Sequence, residues 1–171
     1  VRLWIAQGFG IGLIPFAPGT FGSLVGLVWF GLLLASGHLW SYVLGTFVGL
    51  GLSVWLCGYA EQKLRQKDPG SVVLDEIAAM PVCFCCWIWS HIRLTGAFPT
   101  LDSLASGSNL LLLPGVFVAF RLFDIWKPWP IRQSQNLQGG WGVTVDDVLA
   151  AGFVAAGTFI VSTIKLKWQA A

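Results

Sequence analysis

The chain has 171 residues, of which 56% are hydrophobic and 11% charged, and its mean hydropathy is +0.73. A soluble domain carries about 25% charged residues; ten basic and eight acidic side chains cannot cover a water-facing surface, which excludes a soluble enzyme, a disordered chain and a secreted disulfide scaffold. The net charge of +2 gives no reason to expect a nucleic-acid partner, and what remains is a protein integral to the membrane, of a length that suits one domain over residues 1–171.

Residues 8–23, GFGIGLIPFAPGTFGS, are dense in glycine and proline. Leu13 stands where a third fingerprint glycine belongs and no Lys follows the glycines, so neither a dinucleotide fingerprint nor a P-loop fits. The stretch reads as a tight turn ending in Thr20 or Ser23 as a helix N-cap. Open backbone N–H groups at such a turn make an anion site, and plain turn chemistry with a cap is the alternative. No basic region, short apolar core and small-residue cleavage site follow one another near Val1, so no removable signal peptide is expected.

Five apolar segments follow. Residues 23–36 are only 14 residues long; at about 1.5 Å per residue they rise ~21 Å against a ~30 Å hydrocarbon core, which suggests a partial or re-entrant span. Residues 40–60 run 21 residues without a charge. Residues 71–90 are apolar apart from Asp75 and Glu76 near the start, 110–126 apart from Arg121 and Asp124 near the end, and 143–164 apart from Asp146 and Asp147 near the start. The segments are continuous rather than alternating with period two, and helices satisfy every backbone group internally, as hydrocarbon requires. The expected fold is all-α, a membrane helical bundle of about four to five transmembrane or partly embedded helices, with a kink or a late helix start at Pro81 and Pro114. Cys57, Cys83, Cys85 and Cys86 all lie in apolar stretches. The formal C-x-x-C of Cys83 and Cys86 lacks further zinc ligands, since His38 and His91 are the only histidines, so the cysteines read as small hydrophobes.

If each segment crosses once, Arg2, Lys63, Arg65, Lys67, Lys127 and Arg132 share one face, and Arg93, Lys165 and Lys167 the other. Six against three makes the first face cytoplasmic. The same parity delivers five of the eight acids (Asp75, Glu76, Asp124, Asp146 and Asp147) to that face at one level. Charges at membrane depth each cost at least ~2.5–3.5 kcal/mol on insertion scales, and five acids also repel one another. Oxygen-only ligands of this kind suit Mg²⁺ or Mn²⁺. Adjacent helical residues point about 100° apart, so one member of each pair can face the bundle while the other turns to water or a cap; the alternative to a metal is complementation of helix dipoles by acids in the first turn of two helices. That alternative leaves out Asp124, which sits at the unfavourable C-terminal end. Arg121, Asp124 and Lys127 follow one another at i, i+3 spacing on one helix face, as a structural salt bridge or as a metal ligand flanked by phosphate clamps. Pro128 and Pro130 are expected to end that helix and present Lys127 at the surface. Arg132 falls at headgroup depth. A divalent-cation channel or carrier is the rival function, and it expects acids spread through the membrane depth.

At these residues the sequence resembles the phosphatidylglycerophosphatase A family of bacterial membrane lipid phosphatases. The match rests on GFG…PGTFGS at 8–23, DP…VLDE at 68–76, and FRLFDIWKPWPIR at 120–132 running on to GGWGVTVDD at 139–147. The resemblance implies a Mg²⁺-dependent phosphomonoester hydrolase of the bacterial inner membrane, and the charge distribution above makes it multi-pass with its active site on the cytoplasmic face. Its substrate and membrane partner would be phosphatidylglycerophosphate, cleaved to phosphatidylglycerol and phosphate. Where the family usually has an Asp-Arg pair, this chain reads QSQN at 133–136. The expected site takes Asp75, Glu76, Asp124, Asp146 and Asp147 as metal ligands, one of them (Asp147 or Glu76) also the general base. Gly19, Thr20, Gly22, Ser23, Arg121, Lys127 and Arg132 would hold phosphate, with Lys127 also in the catalytic group. No Cys is followed six residues later by Arg, no two acids are spaced D-x-D, and neither His falls on the acidic face, so attack by water is favoured over a covalent intermediate.

Overall fold

Each long apolar segment is helical, and no strand occurs among the described residues, which in this computed structural model are 1–107 and 109–169, with side chains through 162. A short helix α1 (Arg2–Ala6) leads into an irregular 3₁₀ stretch (Gly8–Leu13) broken by left-handed residues at Phe9 and Gly10. Next come α2 (Pro18–Ala35), α3 (Leu39–Leu64), α4 (Leu74–Ala79) and, after a 3₁₀ turn (Met80–Phe84), α5 (Cys85–Thr95). The chain closes with α6 (Leu101–Ala105), α7 (Leu112–Trp126), α8 (Ile131–Ser134) and α9 (Gly140–Gln169).

Four helical stretches are long and apolar enough to cross a membrane: Pro18–Ala35, Leu39–Leu64, Leu74–Thr95 and Gly140–Ser162. The first corrects the expectation of a partial span. It has 18 residues because Pro18 takes the first helical position, where a missing N–H costs nothing and φ is already set. Ala17, with φ 46°, is the N-cap, so Thr20 and Ser23 lie inside the helix instead of capping it. The Ser23 hydroxyl turns back to donate to the Gly19 carbonyl at 2.9 Å. Pro81 falls in the 3₁₀ turn that interrupts the third span, and Pro114 in the first turn of α7. With 15 residues, α7 rises about 22 Å, short of the ~30 Å hydrocarbon core.

Exposed apolar side chains form rows on the outer faces, Leu24, Val28 and Leu32 on α2 and Leu44, Phe47, Val48, Leu52 and Trp55 on α3, as lipid contact requires. The core between the helices is built on Phe30, Met80, Phe84, Phe120 and Ile131, each fully buried, with Phe30 and Phe84 stacked at 3.7 Å between ring centroids. The Tyr42 hydroxyl donates to the Pro81 carbonyl at that interruption. All four cysteines are free, and Cys57 and Cys83 are buried in the apolar packing.

Close helix approach is set by glycine. A Cβ at Gly140 would stand 1.8 Å from the Val54 carbonyl oxygen and 2.7 Å from the Gly58 nitrogen, both backbone atoms of α3. Because backbone cannot swing aside, only glycine lets α9 begin against α3, while Gly139 just before it takes a left-handed φ of 58°. Gly140→Ala is therefore expected to destabilise the protein by about 1–3 kcal/mol, read as a lowered thermal midpoint in detergent. Gly51→Ala, which meets nothing within 4 Å, should leave the midpoint unchanged or raised.

Candidate active site

Asp75 and Glu76 are the second and third residues of α4. Their helix starts directly under the first turns of α2, where a Cβ on Gly22 would come within 2.8 Å of Val73 Cβ and one on Gly19 within 2.2 Å of Glu76 Oε1. Asp147 arrives from α9, and carboxylate oxygens of Asp75, Glu76 and Asp147 all lie within 4.8 Å of one another. Asp75 and Asp147 are 5% and 3% exposed and the Glu76 side chain 12%.

Both members of each adjacent pair turn inward, against the expectation that one would face out. For Asp146 and Asp147 the reason is the helix start. α9 begins at Gly140, three residues earlier than the apolar pattern suggested, so its first turn holds no acid. The two aspartates sit about two turns in, beyond the reach of the helix N-terminus, so the dipole does not account for them.

The five acids do not form one set of equivalent ligands. Asp124, near the C-terminal end of α7, accepts from Arg121 Nη1 at 2.7 Å, with Lys127 Nζ 3.7 Å away. Asp146 accepts from Lys127 Nζ at 2.6 Å. Lys127 was expected at the surface. As the C-cap of α7 it has φ 46°, which turns its side chain inward to 23% exposure. Burial works against its charge, but the hydrogen bond to Asp146 and the charges of Asp146, Asp124 and Asp147 outweigh burial and hold the ammonium above its ordinary value. Lys127 is a fixed positive charge in this setting.

Arg121 ties the α2 turn to the acids. Its Nη1 lies 3.4 Å from Ser23 Oγ and 3.7 Å from Glu76 Oε1, and a Cβ on Gly19 would be 3.2 Å from both its terminal nitrogens. Gly19, Gly22 and Ser23 thus border the cluster. Thr20 is half-buried in α2 and spends its N–H on the Ala17 carbonyl. Arg132 is exposed and lines a separate pocket with Lys67 and Gln135. Gln135 is a site neighbour that the sequence reading missed: its Nε2 donates to Asp146 Oδ2 at 3.0 Å and to Asp68 Oδ2 at 3.4 Å. The only signal was its place in the polar 133–136 run, between a proline-rich turn and the glycine pair.

Asp75 Oδ1, Glu76 Oε2, Asp146 Oδ1 and Arg121 Nε are buried without a hydrogen-bond partner. Each such atom costs about 1–3 kcal/mol, and carboxylate oxygens converging from two helices are a donor set that suits a hard divalent cation. The residues present fit Mg²⁺: Asp75, Glu76 and Asp147 converge, while Asp124 and Asp146 are drawn off by Arg121 and Lys127. One turn deeper on the surrounding helices, Met80, Phe120 and Ala150 are fully buried. The acids therefore form a cluster above a packed core rather than a chain of sites through the membrane, which does not favour the channel or carrier.

Fold and site together define a helical membrane protein with a buried carboxylate centre near one end of its bundle. The phosphatidylglycerophosphatase A family profile matches residues 4–162. A phosphatidylglycerophosphatase A of Escherichia coli K12 is 36% identical over 155 residues, covering 90% of this chain and 78% of the relative. One of Haemophilus influenzae Rd is 34% identical over 158 residues, covering 92% and 86%. A Bacteroides thetaiotaomicron protein with the provisional name phosphatidylinositol-3-phosphatase is 35% identical over 157 residues, covering 85% and 84%. No solved structure matches the chain at a significant level. The chain belongs to the phosphatidylglycerophosphatase A family of enzymes.

Gly19 offers a local test. An added methyl there meets the ends of the flexible Glu76 and Arg121 side chains rather than backbone, so Gly19→Ala should fold normally and displace those groups. Phosphate release is expected to fall about 10- to 100-fold, the usual consequence of a displacement near 1 Å. Gly31→Ala, with open space around it, should retain full activity.

Proposed function

We propose that the protein hydrolyses the terminal phosphomonoester of phosphatidylglycerophosphate to phosphatidylglycerol and inorganic phosphate, with Mg²⁺ held by Asp75, Glu76 and Asp147. The observation that carries this reading is the convergence of those three carboxylates within 4.8 Å beside Arg121 and the α2 turn. The names of the Escherichia coli and Haemophilus influenzae relatives support the choice of lipid.

The chemistry that Mg²⁺ supplies when bound is charge neutralisation of the phosphoryl group. The protein's own groups do the rest. Arg121, backed by Ser23 and Asp124, points its guanidinium at the space between α2 and the acids and takes the phosphoryl oxygens. Gly19 leaves room beside the α2 turn for the Glu76 and Arg121 side chains, and Gly22, packed against Val73, lets α4 bring its acids there. Asp147 accepts a proton from the attacking water as the new P–O bond forms, the bond from phosphorus to the glycerol oxygen breaks, and that oxygen takes a proton from solvent water to leave as the alcohol. Lys127, held by Asp146, keeps a positive charge beside the reacting group throughout. Asp124 and Asp146 act as positioning residues through those two cations.

The reading sets the site on the cytoplasmic face of the bacterial inner membrane. Support comes from the cations near this end of the bundle: Lys63 in the last turn of α3, Arg65 as its C-cap, Lys67 just beyond, and Lys127 and Arg132 after α7.

The test is phosphate release from phosphatidylglycerophosphate in detergent, with Mg²⁺ or with EDTA, for the wild type and Asp147→Asn. Release should depend on Mg²⁺ and fall about 10²–10⁴-fold in Asp147→Asn, the range for loss of a general base, with the thermal midpoint retained. Release indifferent to EDTA would refute the metal role. No release from this lipid by a folded wild type would refute the activity.

A further inference from the structure

Phosphatidylglycerophosphate carries two phosphates, the terminal monoester and the diester joining the headgroup to the lipid, and the carboxylate centre has cations for only one. Arg121 is engaged by Asp124 and Glu76, and Lys127 by Asp146 and Asp124. Beside that centre lies a second, polar pocket of about 330 Å³, lined by Lys67, Asp68, Arg132, Gln135 and Asn136 and by the start of α9. Lys67 and Arg132 are both exposed and make no ion pair among the described residues. The pocket is joined to the carboxylate centre by one side chain: Gln135 Nε2 reaches Asp68 on its wall and Asp146 in the site. Exposed Trp126, Trp129 and Trp141 flank it along the chain, which sets it at the membrane–water boundary, the level of lipid headgroups.

We propose that this pocket is the subsite for the substrate's second anion, the phosphodiester, held by Lys67 and Arg132 while the terminal phosphate enters the carboxylate centre. The inference rests on the lipid-phosphatase reading and deepens it. The chain then selects lipids bearing a terminal monoester beyond a diester over phosphatidic acid, whose single phosphate cannot fill both places. Asp68 and Gln135 form the wall between the two subsites, and Asp68 is itself held by the Glu61 carboxylate, which accepts its backbone N–H at 2.9 Å.

The experiment compares wild type with Lys67→Gln, Arg132→Gln and the double variant in neutral detergent micelles at fixed ionic strength. Phosphate release is followed from phosphatidylglycerophosphate and from phosphatidic acid with the same acyl chains. Binding of short-chain phosphatidylglycerol, which has the diester and no monoester, is measured by calorimetry. The double variant should raise KM for phosphatidylglycerophosphate about tenfold with kcat retained, as expected for loss of charge-assisted hydrogen bonds. The preference over phosphatidic acid should shrink by the same factor, and phosphatidylglycerol should bind more weakly to match. Equal losses on both substrates would mean general attraction of anionic lipid and would overturn the subsite, as would no loss on either. A wild type that releases no phosphate but binds phosphatidylglycerol through Lys67 and Arg132 refutes the hydrolysis reading and supports the subsite. Binding indifferent to both residues overturns the subsite whatever the hydrolysis shows.

Discussion

Three carboxylates from two helices sit within 4.8 Å of one another inside a membrane bundle, and the rest of the structure follows from holding them there. At an effective dielectric constant near 20, each like-charged pair at that separation repels by roughly 3–4 kcal/mol. Arg121 and Lys127 offset this only in part, because each makes its shortest ion pair to an acid outside the trio, Asp124 and Asp146, and Arg121 reaches Glu76 only at 3.7 Å. A retained proton would lessen the repulsion at the loss of a ligand oxygen. A divalent cation held by all three carboxylates would remove it, and the orphaned oxygens of Asp75 and Glu76 would then have a partner.

Such a centre needs helices that approach more closely than ordinary side chains allow. Gly22 and Gly26 of α2 lie against Val73 and Met80, where a Cβ would come within 2.8 and 2.7 Å, and this sets α4 with its two acids beside the α2 turn. Gly140 meets the α3 backbone, and Ser53 of α3 and Thr144 of α9 share a buried hydrogen bond of 2.8 Å nearby. That contact fixes the rotation of α9 and therefore the direction in which Asp146 and Asp147 point. Glycine packing and carboxylate geometry are in this sense one feature, since an error of rotation in α9 would carry Asp147 out of the cluster.

Much of this was legible in the sequence because it depends on length and parity. Three of the apolar runs carry acids, each at one end, and a simple up-and-down path brings those ends together. Side-chain direction was not legible. The run GGWG at 139–142 reads as a turn, yet Gly140 and Gly142 are already helical, and those few residues decide whether Asp146 and Asp147 belong to an exposed first turn or a buried second one. Lys127 was misplaced for a similar reason: a left-handed backbone at a non-glycine residue has no sequence signature and reverses the side chain's direction. Gln135 and the pocket it borders belong to a loop without periodicity, where only the folded chain shows which polar residues meet.

The most direct test of the central claim is to count divalent ions without reference to catalysis. Mn²⁺ titrated into the detergent-solubilised protein and followed by its paramagnetic resonance signal should show one strong site, displaced by Mg²⁺ and lost in Asp75→Asn while Asp102→Asn, on α6 outside the cluster, retains it. The absence of strong binding by the folded wild type, or binding that survives Asp75→Asn unchanged, would contradict the account.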